Sequence, residues 1–408
     1  MIAKGMVGKK LVGDNLQIAS EAKRRKLENP NTINATLGTL VNEDNNFYTF
    51  KTVDKILRSL ENDHIYNYSS TDGGEEFKNA VMNWVFREYL DEIITNFKYQ
   101  VVATAGGTGA VSNAVFSSLD SNQTLILPNI HWGPYNNIAL ASNLNVEKFN
   151  MFDGNHFNIN GFQELIYKVA EKEGKVTFIL NDPCHNPTGY TLSDDELLSI
   201  IDIINSMENI PFSIIYDIAY FDYPVTRTNV REKFKLLTKL KNNVVIHIAF
   251  SCSKTFSIYG LRTGAQIILS KDQNIVEDFY NSSVYLSRTR WSNIPRAGIQ
   301  LLIKLYNDKK LYAKFLQEQQ KARNILTMRA KLFIEEAKTN DLKIYPYHGG
   351  FFITIACSDG KKLFEALKKD DIYVIPLQRA IRISISSLPI ACINRLVSKV
   401  KEAKKIID

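Results

Sequence analysis

Apolar, often β-branched residues gather in five short runs along the middle of the chain, at 101–104, 124–127, 176–180, 212–216 and 244–250. Each run is of strand length and nearly continuous in apolar character. That pattern predicts strands buried on both faces, as in a mostly parallel sheet covered by helices. Between the runs lie polar or glycine-rich clusters and helix-like stretches, so that one phrase repeats from about residue 100 to 270 and reads as an α/β domain. In such sheets ligands bind beyond the carboxyl ends of the strands, which makes the clusters after each run the places to look for chemistry. Past residue 295 the texture changes: a breaker-poor helical stretch over 300–339, a strand-like 350–356, a helical 361–369 and an amphipathic helix over 389–407. These predict a smaller α+β unit, which the N-terminal segment joins. The expected division is 1–45 for an N-terminal arm and part of the small domain, 46–295 for the large domain and 296–408 for the rest of the small one. The basic cluster at 23–26, flanked by Glu21 and Glu28, reads as a helix surface.

Composition narrows the class without naming a function. The 408 residues are 45% hydrophobic and 23% charged, an ordinary globular balance. The formal charge of +7 comes from basic residues interspersed with acids along the whole length; neither a nucleic-acid tract nor a membrane patch is implied. Cys184, Cys252, Cys357 and Cys392 stand far apart with no C-x-x-C spacing, so no metal site and no disulfide framework is expected. No apolar run approaches the roughly 18 residues of a membrane span. Residues 1–10 lead into Gly13, Asp14 and Asn15 without a sustained apolar stretch, which argues against a signal peptide. A cytoplasmic protein is the expectation.

Four clusters follow the apolar runs. Gly106-Gly107-Thr108-Gly109-Ala110 comes after the first and before a helix expected over 111–119; backbone N–H groups at a helix start can cradle a phosphate. It fits neither the dinucleotide fingerprint nor a Walker A loop. His185-Asn186-Pro187-Thr188-Gly189 follows the third run and signals a turn. Asp217 directly follows the fourth run, with Tyr220 three residues on; a carboxylate at a buried strand end needs a cationic or donor partner. Ser251-Cys252-Ser253-Lys254 follows the fifth, with Arg262 eight positions beyond the lysine. An amine just past a buried strand is desolvated, which favours its neutral, nucleophilic form.

Taken together, in this order, these clusters and a late arginine in Ile381-Arg382-Ile383-Ser384 make the chain similar to the aspartate aminotransferase family, the class I aminotransferases of fold type I. The resemblance covers nearly the whole chain. It implies a pyridoxal 5′-phosphate (PLP)-dependent transferase fold, with a seven-stranded, mostly parallel sheet in the large domain and a smaller α+β domain. It implies transamination between L-aspartate and 2-oxoglutarate, ping-pong through the pyridoxamine form, with aromatic or broad specificity as the nearest alternative. A PLP-binding module without turnover is a remoter one.

By the same resemblance Lys254 carries PLP as a Schiff base and shuttles the Cα proton. Asp217 faces the pyridine nitrogen, Tyr220 and Asn186 bond the ring oxygen, and Trp132, in His131-Trp132-Gly133, stacks on the ring. Gly107, Thr108, Ser251 and Arg262 bind the phosphate, joined by Tyr68 from a second subunit, which implies a homodimer with shared sites. Arg382 clamps the substrate α-carboxylate, with Trp132 and Asn186 alongside. Arg288, four residues before Ser292-Asn293, is placed to reach a distal carboxylate in the partner's site, with Arg290 as a second candidate, and Gly38 lies in the segment that closes over substrate. Leu40, where a tyrosine is usual, and Ser384, where an asparagine is usual, depart from the pattern.

Overall fold

In a computed structural model the five runs become strands of a seven-stranded sheet, the first at one edge and the other four inside. The structure describes residues 1–2, 6–9, 15–225 and 229–408; the expected leader-free N-terminus therefore falls partly outside the described residues. The strands are β1 (Lys98–Ala105), β2 (Thr124–Pro128), β3 (Asn145–Phe149), β4 (Val176–Asn181), β5 (Phe212–Asp217), β6 (Val244–Ser251) and β7 (Thr263–Ser270). Their order across the sheet is β1-β7-β6-β5-β4-β2-β3. All neighbours are parallel except β7, which runs antiparallel to both β1 and β6. Strands β4, β6 and β7 are buried along their whole length, as strands sheltered on both faces must be. His247 sits in the middle of β6 with no exposure. Burial holds it neutral, with its pKa down at about 3, and Gln266 Nε2 lies 3.1 Å from its Nδ1.

Some helical expectations change in detail. The glycine cluster is not a turn ahead of a helix at 111–119: helix α1 (Gly106–Ser118) begins at Gly106, and the cluster is its first turn. Glycine serves close approach here. A Cβ on Gly109 would lie 3.2 Å from Thr104 Cβ, and one on Gly107 3.2 Å from Ser251 Cβ. Likewise the stretch 300–339 is not one helix but Arg296–Asn307 followed by Lys309–Thr339. Asp308 breaks it by leaving helical geometry and accepting bonds from the Lys310 and Leu311 N–H groups at 2.9 and 3.0 Å, a standard N-cap.

The smaller unit has a three-stranded antiparallel sheet of β8 (Phe352–Ala356), β9 (Ile375–Leu377) and β10 (Ala380–Ser384), with β10 in the middle. The helix at its C-terminal end is Ile393–Ile407, preceded by one 3₁₀ turn, so it starts later than the pattern at 389 implies. The N-terminal segment joins this unit: Ile33–Asn34 pairs in parallel with Ile372–Tyr373. The basic cluster lies on the helix Asn15–Glu28, where Arg25 pairs with Glu28 and Asp371 and Glu21 with Lys368. All four cysteines are free thiols. Among the described residues no group of His, Cys, Asp and Glu is arranged to hold a metal, and no helix is long and apolar enough to cross a membrane.

Candidate active site

A cavity opens where β4, β5 and β6 end and α1 begins. Register sets its floor: Asn181, last in β4, lies beside Asp217, last in β5, while Gly264 of β7 lies beside Ser251, last in β6. Of the residues singled out from sequence, Gly107, Thr108, Trp132, Asn186, Asp217, Tyr220, Ser251, Lys254 and Arg262 all line this one space. They come from six segments far apart in the chain.

Asp217 is buried, and each of its carboxylate oxygens has a donor. The Tyr135 hydroxyl donates a hydrogen bond to Oδ2 at 2.6 Å, and the Ala219 N–H donates to Oδ1 at 3.0 Å. Burial raises the Asp217 pKa, and the two donors with the nearby Lys254 pull the other way. Lys254 follows β6 in a single helical turn, Cys252–Thr255. The Tyr223 hydroxyl fixes that turn by donating to the Lys254 carbonyl at 2.8 Å. Its Nζ stands 5.3 Å from the centre of the Tyr220 ring. Enclosure by protein, opposed by Asp217 and assisted by Arg262, lowers the amine from 10.5 to about 8, so a sizeable neutral fraction exists at ordinary pH. Asn186 is oriented from below, its N–H bonding Asn181 Oδ1 at 2.7 Å while Asn181 Nδ2 bonds the Asp217 carbonyl at 2.9 Å.

The mouth near α1 is suited to an anion. The amides of Gly107 and Thr108 sit in the first turn, where N–H groups have no helical acceptor. The Arg262 guanidinium packs against Gly106, whose φ is +69° and whose Cβ, if present, would lie 2.5 Å from Arg262 Nη2. Arg262 also bonds Ser253 Oγ at 3.2 Å and the Tyr259 carbonyl at 2.8 Å. Glycine thus leaves a cradle between helix start, Ser251 and guanidinium.

Arg382, from β10, approaches from the smaller unit: it does not line the cavity itself but bonds Asn186, which does. Its Nη1 donates to Asn186 Oδ1 at 3.2 Å and its Nη2 to the Thr36 carbonyl at 2.6 Å, with the guanidinium 4.2 Å from the Phe352 ring centre. Its buried Nε has no acceptor among the described residues, and burial lowers its pKa to about 10. A buried cation with an idle donor is ready for a carboxylate. Gly38 closes the same corner: a Cβ there would stand 2.5 Å from the Phe352 ring and 3.4 Å from the Tyr220 hydroxyl. Leu40 is buried beside it, its N–H bonded to the Tyr259 hydroxyl at 3.1 Å, and Ser384 ties down the Leu37 carbonyl.

Three expected residues lie away from the cavity of their own chain. Tyr68 is 85% exposed and borders a separate surface hollow with Arg296. Arg288 and Arg290 end the helix Gln273–Arg290 and are exposed. They differ in how they are held. Arg290 lies 3.7 Å over the Phe116 ring and bonds Ser112, whereas Arg288 bonds Ser292 Oγ at 2.7 Å. Sequence reasoning overlooked Tyr135, Asn181 and Phe352. Asn181 was findable as the polar end of a buried strand, and Tyr135 by its place three residues after Trp132 at a helix start. Nothing in the sequence marks Phe352.

The residues 36–400 match the model of the family "Aminotransferase class I and II". The aspartate aminotransferase of Escherichia coli is 22% identical over 80% of this chain and 82% of its own length. An aromatic-amino-acid aminotransferase of Paracoccus denitrificans is 26% identical over 67% and 68%. Among solved structures, an aminotransferase from Anaerococcus prevotii superposes with a TM-score of 0.94 at 30% identity, covering 99% of each chain. The aspartate aminotransferase of Saccharomyces cerevisiae cytoplasm shares the fold, with a TM-score of 0.82 at 17% identity over 98% of each chain. The fold and the enclosed lysine, aspartate and arginine define an aminotransferase. The chain belongs to the class I and II aminotransferase family.

Proposed function

We propose that this aminotransferase exchanges the amino group between L-aspartate and 2-oxoglutarate in two ping-pong half-reactions. Pyridoxal 5′-phosphate is the cofactor, and the residues present fit it: an anion cradle, an enclosed lysine of lowered pKa and a buried carboxylate at the far end of one cavity. When bound, PLP supplies a carbonyl carbon that condenses with amines and a ring that accepts the electron pair left at Cα. Around it, the α1 amides, Ser251 and Arg262 would bind the phosphate. Asp217 would hold a proton on the pyridine nitrogen, and Asn186 and Tyr220 would bond the ring oxygen. Lys254 Nζ would hold the cofactor and, when free, would move the proton of the substrate Cα, serving as general base and acid. Arg382 would hold the α-carboxylate beside Asn186.

The dicarboxylate preference rests on one contrast. Arg290 is laid on Phe116, while Arg288 extends from the same helix end and, among the described residues, bonds only Ser292. We assign Arg288 to the distal carboxylate in a second subunit's site, and Tyr68 to the phosphate of that site, which requires a homodimer. The division at residues 45 and 295 is part of the same reading. A second reading, aromatic or broad specificity, is supported by the aromatic relative and by Phe351 and Phe352 around Tyr220. Profiling amino donors with 2-oxoglutarate decides between them: aspartate should lead by kcat/KM. Leadership by phenylalanine or tyrosine would replace the proposal with the second reading.

A further inference from the structure

We infer that Tyr135 is a positioning residue that fixes both the orientation and the charge of Asp217, and so sets how tightly this chain holds a protonated cofactor ring. The inference rests on the PLP reading above. Its basis is a single buried contact with little freedom on either side. The Tyr135 ring is 1% exposed, and its hydroxyl donates to Asp217 Oδ2 at 2.6 Å. The other carboxylate oxygen has the Ala219 N–H. Without Tyr135, Oδ2 would keep no donor among the described residues, and a desolvated carboxylate oxygen without one costs more than an ordinary lost hydrogen bond.

The segment that delivers Tyr135 also delivers Trp132. Pro134 opens the helix Pro134–Ala141, and the Tyr135 N–H folds back on the Trp132 carbonyl at 3.1 Å. The two rings meet edge to face, centres 5.2 Å apart. His131 stacks on the other side at 6.4 Å. His131 is anchored through Nδ1 to Pro128 and through Nε2 to Asn136, and burial keeps it neutral, with its pKa at about 4. One turn therefore places an indole in the wall of the cavity and a phenol on the carboxylate at its end. The ionisable groups facing Asp217 are Tyr135, Lys254 and Tyr220. Burial raises both phenols well above 10, so Tyr135 remains a donor at every working pH. Its bond favours the charged form of Asp217 against the burial that opposes it. A charged Asp217 is what a pyridine N–H requires.

Tyr135→Phe keeps the ring and its packing and removes only the donor. A hydrogen bond to a charged group contributes enough that PLP affinity, measured on apoenzyme reloaded with cofactor, should fall roughly 10- to 100-fold. The pH dependence of the bound cofactor's absorbance should shift with it. A purely structural role would lower the melting temperature and leave both unchanged. In an Asp217→Asn background the same Tyr135→Phe change should alter PLP affinity less than about threefold, because the charge it serves is gone. Tyr135→Phe binding PLP as tightly as wild type, or weakening it equally in both backgrounds, would overturn the inference and leave the PLP reading intact. Wild-type chain that takes up no PLP would overturn both.

Discussion

At Lys254 the same burial that costs the folded chain prepares the amine for reaction. Lowering it from 10.5 to about 8 corresponds to roughly 3 kcal/mol spent on holding a charge out of water. Because the folded value lies below the unfolded one, the unfolded chain binds more protons between those limits, and stability rises with pH across that window. Apo Lys254→Met should therefore be more stable than apo wild type at pH 7, by up to about 3 kcal/mol, with the gain shrinking as pH climbs from about 8 towards 10.5. Urea unfolding at several pH values measures this; a pH-independent difference would mean that the lysine carries no such penalty. Turnover tests the neighbouring carboxylate: Asp217→Ala should slow the single-turnover proton transfer by orders of magnitude, and a normal rate would remove it from the mechanism. Lys254, Asp217 and Arg262 were legible because their spacing from apolar runs is written in the chain. Tyr135 carries a weaker mark, its place three residues after Trp132 at a helix start; its partner Asp217 is 82 positions away, and only the fold brings the two together.

Elements were legible where one physical signal dominated. The inner strands β4, β5 and β6 announced themselves by continuous burial, and the residues that end them form the floor of the site. Strand β3, Asn-Val-Glu-Lys-Phe, lies at the sheet edge with only its last residue buried, so no apolar run marks it. The break at Asp308 was missed because one aspartate in a helix-favouring stretch is common, and its capping depends on geometry. Asp308→Ala should cost about 0.5–2 kcal/mol in thermal unfolding without changing turnover. Strand β7 was missed although it is wholly buried; its role is to pack backbone against the glycine turn. A Cβ on Gly264 would come within 2.5 Å of Gly106 C and 2.7 Å of the Phe250 carbonyl oxygen. Gly264→Ala should push α1 off its seat, costing about 1–3 kcal/mol of stability and speeding PLP release. Release at the wild-type rate would show that the seat tolerates the methyl group.

Across the molecule, the site draws on both sheets, and the proposal draws on a second copy. Removing one partner of a desolvated charge pair costs about 2–5 kcal/mol, so Arg288→Ala should lower kcat/KM for dicarboxylic donors roughly 30- to 4000-fold. Donors without the second carboxylate should change far less. If Arg290 makes the contact instead, the selective loss appears in Arg290→Ala. If the contact is made in trans, as proposed, mixed dimers of Arg288→Ala with Lys254→Ala should regain one intact site, pairing Lys254 of one chain with Arg288 of the other. No recovery after proven chain exchange would end the shared-site geometry. The central claim is more direct: Lys254 is the residue that carries the cofactor. Borohydride reduction of the PLP-loaded enzyme, followed by peptide mass spectrometry, should place a reduced phosphopyridoxyl group on Lys254 and on no other lysine. A label on a different lysine, or none, would contradict it.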